Sequence, residues 1–289
     1  MKVKYYLKEM RIHHYIKNLL VFAPVVCSGN ILNPGKLMLS VFAFISFCLM
    51  SSAVYFINDI KDVEKDRLHP TKCRRPIASG KISIKSAIVF TVILILAAVG
   101  MMILCRSLYP VIFLLVYFII NLAYSFGLKK IPLLDVAILV SGFLIRVICG
   151  SVATDIYISN WLYLVIISGA FYLGFGKRRN EYRDLRDDET REVIKKYSFN
   201  FLDKIMYVCM ALIFVFYALW AVDERTVSAY HSSGLIWTVP LVMLIFMKYS
   251  MAVESDSDGD PVEVLVHDKV LLGLCTIYGI IMLLLLYVF

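Results

Sequence analysis

The sequence predicts an all-α protein that crosses a membrane nine times. Apolar residues make up 60% of the 289 and charged residues only 18%, a ratio that soluble domains of this size do not show. Apolar segments of about 20 residues, the length needed to cross a bilayer, recur along the chain. Basic residues are also concentrated in alternate loops. Together these observations indicate a polytopic helical membrane protein.

Each predicted span is an apolar run bounded by charged or turn-forming residues. The first is the weakest, because Pro24 interrupts it and Gly29 closes it early. No small-residue cleavage pattern follows the basic N-terminus, so we expect no cleavable signal peptide. The nine predicted spans are 17–34, 37–58, 84–104, 107–126, 132–153, 159–176, 201–222, 234–252 and 270–289.

The loops predict the orientation. Lysine and arginine are abundant before the first span and in the loops 59–83 and 176–200, whereas the loop 154–160 has none. Because such an excess marks the cytoplasmic side, we expect a cytoplasmic N-terminus and an outer C-terminus in the inner (plasma) membrane. The net charge of +8 therefore lies on one face, where anionic lipid headgroups explain part of it. No soluble domain carries basic and aromatic residues together, so we expect no nucleic-acid partner.

The second span runs directly into an acidic segment. Asp59, Asp62 and Asp66 have the spacing i, i+3 and i+7, which places three carboxylates on one face of a helix. Three like charges repel one another, but they suit Mg²⁺, which binds hard oxygen ligands and shares its shell with substrate phosphates. The alternative is a solvated helix end. Because the acids begin where the apolar run ends, we favour a Mg²⁺ site at the membrane surface.

Basic side chains follow the acids. Residues 69–80 contain two prolines and a glycine, which predicts an ordered turn. Lys72 and Arg75 in this turn are suited to phosphate oxygens. Arg146 lies in the middle of a predicted span, where a guanidinium group needs a polar cavity and a partner. Snorkelling to a headgroup is the alternative for Arg146, but the residue lies too deep.

A third group of charges ends the sixth span. Lys177, Arg178 and Glu181 lie within one helical turn, so they either bind a ligand or form a simple i, i+4 ion pair between Lys177 and Glu181.

The sequence predicts no zinc site and no disulfide framework. His13 and His14, near the N-terminus, are adjacent to each other and do not have the spacing of metal ligands on a helix. The seven scattered cysteines form no C-x-x-C pair and are interpreted as free thiols.

The segment Asn58-Asp59-x-x-Asp62-x-x-x-Asp66 matches the first signature of the intramembrane prenyltransferases of the UbiA type, and the chain resembles that superfamily. The closer resemblance, over almost the whole chain, is to its branch of decaprenyl-phosphate phosphoribosyltransferases. Aromatic prenyltransferases carry a second acidic signature after span six, where this chain has Lys177-Arg178-Arg179. The similar stretches are 17–18, 52–55, 69–72, 75–78, 122–124, 126–129, 145–146 and 176–178 with Glu181.

The resemblance implies one domain over 1–289, with nine helices around a central cavity open to the cytoplasm and laterally to lipid. The loops 59–83 and 176–200 would cover the active site. The donor would be phosphoribosyl pyrophosphate, the acceptor a polyprenyl phosphate, and Mg²⁺ the cofactor. A homo-oligomer is compatible with the sequence.

The resemblance also implies the residues of the site. The implied catalytic residues are Asp59, Asp62 and Asp66, and the implied metal ligands are these three aspartates and Asn58. The implied donor-binding residues are Lys17, Tyr55, Asn58, Lys72, Arg75, Lys177, Arg178 and Glu181. The residues for the acceptor phosphate or the donor are Tyr124, Lys129 and Arg146.

Two other functions are compatible with parts of the sequence. A prenyltransferase using a prenyl diphosphate and an aromatic or lipid acceptor would need a second metal site, for which Glu181, Asp184 and Asp188 keep the spacing i, i+3 and i+7. A transporter would explain many spans and a buried arginine. Transporters often contain paired repeats with broken helices, and no convincing repeat is present.

Overall fold

The computed structural model describes residues 3–183, 193–230, 233–254, 264–265 and 267–287. These residues form helices and turns, with no strand among them. In chain order the α-helices are α1 (Val3–Glu9), α2 (Ala23–Cys27), α3 (Pro34–Lys61), α4 (Val63–Leu68), α5 (Ile84–Ile103), α6 (Leu108–Phe126), α7 (Leu134–Thr154), α8 (Asn160–Arg183), α9 (Phe199–Val222), α10 (Glu224–Tyr230), α11 (Val239–Glu254) and α12 (Lys269–Tyr287). The 3₁₀ segments are Ile12–Phe22, Lys72–Arg74, Leu128–Lys130, Ile194–Lys196 and Ser233–Thr238. The predicted all-α class is confirmed.

Seven helical segments in the described residues are long and apolar enough to cross a membrane. They are Pro34–Lys61, Ile84–Ile103, Leu108–Phe126, Leu134–Thr154, Phe199–Val222, Ser233–Glu254 and Lys269–Tyr287. Each overlaps a predicted span. The sixth predicted span falls in the 24-residue helix α8, whose C-terminal third is charged. The count of nine stays a prediction.

The predicted boundaries of the first span, 17–34, are wrong. The apolar helical segment is Ile12–Cys27, and α3 begins at Pro34. The reason is local: the Asn33 side chain accepts hydrogen bonds from the backbone N–H groups of Gly35 and Lys36, at 3.1 and 3.2 Å. This cap, with a proline at the first helical position, starts a new helix at residue 34.

The chain divides into two compact units, and the first contains residues 3–26, 30–126 and 145–156. Its central helix is α3, which packs against α5, α6 and the segment Ile12–Phe22. Phe47, Met50 and Met102 are fully buried in its core. Gly150 allows the end of α7 to lie against the chain at Val21, because a Cβ at this position would collide with the Val21 carbonyl.

The second unit contains residues 27–29, 127–144 and the described residues from 157 onward. Helices α8 and α9 form its main contact, with α11 packed on both. Tyr172, Leu202 and Ile213 are fully buried in its core. The single-domain organisation stays a prediction.

The acidic segment is not one continuous helix. Helix α3 ends at Lys61, Asp62 leaves the helical conformation at φ −89° and ψ 7°, and α4 begins at Val63. Asp59 therefore lies in the last turn of α3, and Asp66 lies on α4. That all three acids share one face stays a prediction.

Candidate active site

Charged side chains meet at the end of α3 in the first unit. We call Glu9, Arg11, Asp59, Asp66 and Arg75 the acid cluster. One atom of Arg75, Nη1, donates to Oδ1 of Asp59 at 3.1 Å and to Oδ2 of Asp66 at 2.7 Å. Both aspartates are buried, so Arg75 bridges two buried carboxylates that lie 7 positions apart in sequence.

Arg75 reaches the aspartates because the segment after α4 folds back. The Arg75 backbone N–H donates to the Lys72 carbonyl at 2.9 Å, and the Ser79 N–H donates to the Arg75 carbonyl at 2.9 Å. Gly80 has φ +73°, a backbone conformation that glycine adopts without strain. The predicted ordered turn is confirmed, and it carries Arg75 to the acids.

Arg11 is the second cation of the acid cluster. Its Nη2 atom lies 2.9 Å from each carboxylate oxygen of Asp59, and its guanidinium carbon lies 4.7 Å from the ring centroid of Tyr55. The Tyr55 hydroxyl is in turn 2.9 Å from Nδ1 of His14. Arg11 has φ +52°, which is uncommon for a non-glycine residue and indicates that its contacts hold it there.

Glu9 is the remaining acid of the cluster. Its side chain is 2% exposed, and no N–H or hydroxyl group of the described residues donates to its carboxyl oxygens. Burial, and next a side-chain hydrogen bond with Asp59, raise the pKa of Glu9 to about 8, although Arg11 and Arg75 oppose this shift. Glu9 is thus a buried acid that is paired with the Asp59 carboxylate.

The acid cluster has the donor chemistry for a divalent cation. Among the described residues, no three acidic, histidine or cysteine side chains are arranged as a metal site. A single nitrogen of Arg75 nevertheless lies between oxygens of Asp59 and Asp66, which places these two carboxylates around one position that a cation could take. Two carboxylates around one position suit a hard divalent ion whose remaining ligands are water and substrate phosphates.

The other predicted metal ligands have different surroundings. The Asn58 side-chain amide donates to Oδ1 of Asp59 at 3.2 Å, so it orients that carboxylate. Asp62, at the helix break, is half-buried. The metal-binding roles of Asn58 and Asp62 stay predictions.

Arg146 is buried, with 7% exposure, and it has the polar partners that the sequence predicts. Its Nε donates to the Asn18 side-chain oxygen at 2.7 Å, and its Nη2 donates to the Tyr117 hydroxyl at 3.0 Å. The Asn18 amide then donates to Sγ of Cys48 at 3.3 Å. Arg146 thereby ties α7, α6 and the segment Ile12–Phe22 together inside the first unit.

Arg146→Met is expected to lower the stability of the first unit. Methionine keeps the length and apolar stem but leaves the Asn18 oxygen without its donor, which costs about 1–3 kcal/mol for a buried group. The measurement is the apparent melting temperature of the purified protein in detergent. Lys85→Met, an exposed cation near the start of α5, is the control and should leave it unchanged. Equal melting temperatures for the two variants would contradict a structural role for Arg146.

The second unit contains a separate buried cluster around Arg178. Its Nε donates to Oδ2 of Asp135 at 2.7 Å, and its Nη1 donates to Oε2 of Glu181 at 2.6 Å. The Tyr197 hydroxyl donates to Oδ1 of Asp135 at 2.6 Å. Burial, and next the Asp135 carboxylate, raise the pKa of Tyr197, so it remains a proton donor. Arg178 and Asp135 are both 0% exposed, which is typical of a structural ion pair.

The basic residues at the end of α8 therefore differ in burial and in the ion pairs that they form. Glu181 pairs with Arg178 at i, i+3, not with Lys177 at i, i+4 as the simplest interpretation of the sequence suggests. Arg179 is also buried, and its Nε donates to Asp203 at 2.7 Å. Lys177 is the half-buried base of the run. The predicted second-metal residues Asp184 and Asp188 lie outside the described residues.

The remaining predicted site residues are half-buried. Lys17 lies on the segment Ile12–Phe22 and Lys72 starts the turn that carries Arg75. Tyr124 lies in the last turn of α6, and Lys129 lies in the 3₁₀ segment after it. Their contacts with phosphate stay predictions.

Sequence reasoning missed Glu9, Arg11 and Asp135 as site residues. Glu9 lies between Lys8 and Met10 in a basic N-terminal stretch, and no spacing links it to Asp59. Asp135 shows one signal, an acid just inside the apolar span 132–153, where an unpaired charge is costly.

Comparisons with known proteins place the chain among intramembrane transferases. The sequence profile of the UbiA prenyltransferase family matches residues 20–264. The decaprenyl-phosphate phosphoribosyltransferase of Corynebacterium glutamicum is 32% identical over 287 residues, which is 96% of this chain and 85% of that protein. The enzyme of the same name from Mycolicibacterium smegmatis is 35% identical over 280 residues, 92% of this chain and 87% of that protein.

The fold resembles those of two solved structures. A UbiA homolog from Archaeoglobus fulgidus, solved with GPP and Mg²⁺ bound, superimposes with a TM-score of 0.70 at 19% identity, covering 98% of this chain and 96% of that one. A structure of digeranylgeranylglyceryl phosphate synthase gives a TM-score of 0.65 at 17% identity, covering 97% and 98%. At 19% and 17% sequence identity, the structural similarity is evidence for a shared fold and for nothing further.

Proposed function

The chain belongs to the UbiA prenyltransferase family, and we propose that it transfers 5-phosphoribose from phosphoribosyl pyrophosphate to a polyprenyl phosphate. The observation that carries the proposal is the similarity, over more than nine-tenths of the chain, to two proteins named for this reaction. The acid cluster supports it, because it combines carboxylates for a divalent ion with guanidinium groups for phosphates.

The reaction joins a soluble polyanion to a lipid. An oxygen of the acceptor phosphate attacks C1 of the ribose, the C1–O bond to pyrophosphate breaks, and pyrophosphate leaves with the bonding electrons. Positive charge develops at C1, as in other glycosyl transfers. The acceptor phosphate is ionised near neutral pH, so no strong general base is required.

Asp59 and Asp66 would hold Mg²⁺, with Asn58 orienting Asp59. When bound, Mg²⁺ stabilises the negative charge of the departing pyrophosphate. Arg11 and Arg75, which neutralise the aspartates in this structure, would then donate to phosphate oxygens of the donor. The guanidinium groups that hydrogen-bond the carboxylates before the donor binds would therefore hydrogen-bond its phosphates afterwards.

The predicted donor-binding residues Lys177 and Arg178 differ in burial. Arg178 is fully buried between Asp135 and Glu181, so we assign it a positioning role for the end of α8. Lys177, one residue earlier and half-buried, is the base of this run that we propose contacts a donor phosphate.

Lys177→Ala is expected to raise the apparent KM for phosphoribosyl pyrophosphate about ten- to a hundredfold, the equivalent of one charge-assisted phosphate contact. The KM for polyprenyl phosphate should hardly change. Steady-state kinetics with each substrate varied separately measures both values. The matched control is Lys204→Ala, an exposed lysine of α9 in the same unit. Equal effects on both substrates would argue against a donor contact.

The proposed activity is tested by the mass of the lipid product. Purified protein in detergent is incubated with phosphoribosyl pyrophosphate, a polyprenyl phosphate and Mg²⁺, and the lipid is analysed by mass spectrometry. We expect the acceptor mass plus one phosphoribosyl group, with equimolar pyrophosphate release. A product formed only from a prenyl diphosphate and an aromatic or lipid acceptor would favour the other chemistry of the family.

The protein is a multi-pass membrane protein. We propose that it lies in the inner (plasma) membrane with a cytoplasmic N-terminus, because the donor is soluble and the basic loops face the side that supplies it.

A further inference from the structure

The turn that follows α4 converges on one residue, His69. Pro70 has no N–H group, and the three backbone N–H groups that come after it all donate to His69. Those of Thr71 and Lys72 donate to its Nδ1 atom at 3.2 and 3.3 Å, and that of Cys73 donates to its carbonyl oxygen at 3.2 Å. His69 therefore satisfies the first backbone donors of the turn, as a capping residue does at the start of a helix.

These donors also fix the state of the His69 ring. A backbone N–H group can only donate, so Nδ1 accepts, and the ring proton is assigned to Nε2. The Thr71 hydroxyl lies 3.2 Å from the same Nδ1 atom. Nε2 is buried, and the backbone of His69 is extended at φ −86° and ψ 136°, as expected before a proline. One held side chain therefore sets the shape of the turn.

The turn carries two predicted donor-binding residues, Lys72 and Arg75. The Lys72 carbonyl accepts from the backbone N–H of Arg75 at 2.9 Å, so the residue capped by His69 also fixes the backbone of Arg75. The Arg75 guanidinium group then reaches Asp59 and Asp66. A continuous path of hydrogen bonds thus joins the His69 ring to the acid cluster.

We propose that His69 is a positioning residue for the donor, one that holds the turn so that Lys72 and Arg75 meet the diphosphate of the donor together. This inference rests on the proposed function, which supplies that diphosphate. His69 acts through the backbone, because its Nδ1 atom is occupied by the turn. Without this cap the turn would have to be ordered when the donor binds, and that cost lowers the affinity for the donor.

The test compares two substitutions of His69. His69→Ala should raise the apparent KM for phosphoribosyl pyrophosphate about three- to tenfold, while kcat and the KM for polyprenyl phosphate change less than about twofold. His69→Asn should restore the donor KM, because the asparagine Oδ1 atom is as many bonds from the backbone as Nδ1 and accepts the same N–H groups. The matched control is Thr71→Val, which removes only the hydroxyl group near Nδ1 and should leave both KM values unchanged.

Hydrogen–deuterium exchange of the substrate-free protein in detergent tests the local step by itself. Peptides that cover residues 71–73 should exchange several-fold faster in His69→Ala than in the wild type, and at about the wild-type rate in His69→Asn. If His69→Ala does not accumulate, His69→Gln takes its place. Its longer side chain carries the amide oxygen past the two N–H groups, so the same rise in donor KM is expected.

Four results would overturn the inference. Unchanged exchange in His69→Ala would show that the side chain does not hold the turn. Faster exchange with an unchanged donor KM would show that the turn does not position the donor. Equal changes in the KM for both substrates, or a loss of kcat alone, would indicate a general structural role. A donor KM that His69→Asn does not restore would mean that the backbone hydrogen bonds are not the cause.

Failure of the proposed function would be recognised separately, from the lipid product. If the wild type forms no phosphoribosyl lipid, that function fails, and the binding of inorganic pyrophosphate with Mg²⁺, measured by isothermal titration calorimetry, replaces the donor KM. Weaker pyrophosphate binding by His69→Ala than by the wild type would then support the positioning role. Equal binding by the two proteins, or none by the wild type, would refute it.

Discussion

Asp59→Asn is expected to remove nearly all Mg²⁺-dependent transfer, a loss of at least about a hundredfold. The change deletes one ligand charge and keeps the side-chain volume. Asp59 is also the carboxylate on which Arg11, Arg75 and the Asn58 amide converge, so its charge organises the cluster. The measurement is pyrophosphate release at saturating donor over a range of Mg²⁺ concentrations.

The same variant should remain folded. Arg11 and Arg75 are partly exposed, so water can solvate them once the carboxylate charge is lost. We expect the free energy of unfolding to change by no more than about 1 kcal/mol. Glu64→Gln is the control for activity. A near wild-type rate of Asp59→Asn at limiting Mg²⁺ would contradict the assignment of this residue to the metal.

Asp135→Asn is expected to have the largest effect on stability, a loss of about 3 kcal/mol or more, because removing one partner of a buried ion pair leaves the other uncompensated. Arg178 is completely buried, and the variant would remove one of the two carboxylates paired with it among the described residues. The free energy of unfolding in detergent, obtained by denaturant titration, measures the loss.

The matched control is Asp203→Asn. Asp203 receives the same kind of Nε hydrogen bond, from Arg179, but it is 31% exposed, so its loss should cost about 1 kcal/mol or less. The double variant Asp135→Asn with Arg178→Gln should recover part of the stability. If Asp135→Asn proved no less stable than Asp203→Asn, the buried pair would have no special role.

The fold was largely predictable because lipid imposes a simple rule. A span needs about 20 apolar residues whatever it packs against, so seven segments appeared in the sequence as apolar runs. The first span was misplaced because its helical segment begins at Ile12, among residues that include His13, His14 and Lys17. Because these residues are polar, the apolar run in the sequence did not indicate that the helical segment begins there.

The candidate site was predictable only where its residues are close in sequence. Asp59 and Asp66 were recognised through their spacing, and Arg75 through its turn. Glu9 and Arg11 reach Asp59 across 50 and 48 positions, a contact that no local pattern encodes. Arg178 shows the opposite difficulty: its sequence context is that of a phosphate-binding base, and only its burial beside Asp135 distinguishes a structural cation from a functional one.

The sharing of Arg75 between Asp59 and Asp66 has a thermodynamic consequence. Together with Arg11, which pairs with Asp59, the arginine acts as a built-in counter-ion, so the two aspartates are charge-balanced before any ligand arrives. A divalent ion that binds alone must displace this counter-ion, whereas an ion that arrives with a polyphosphate gives the released guanidinium group a new anion. Metal and donor should therefore bind with positive coupling, each raising the affinity for the other by the same factor.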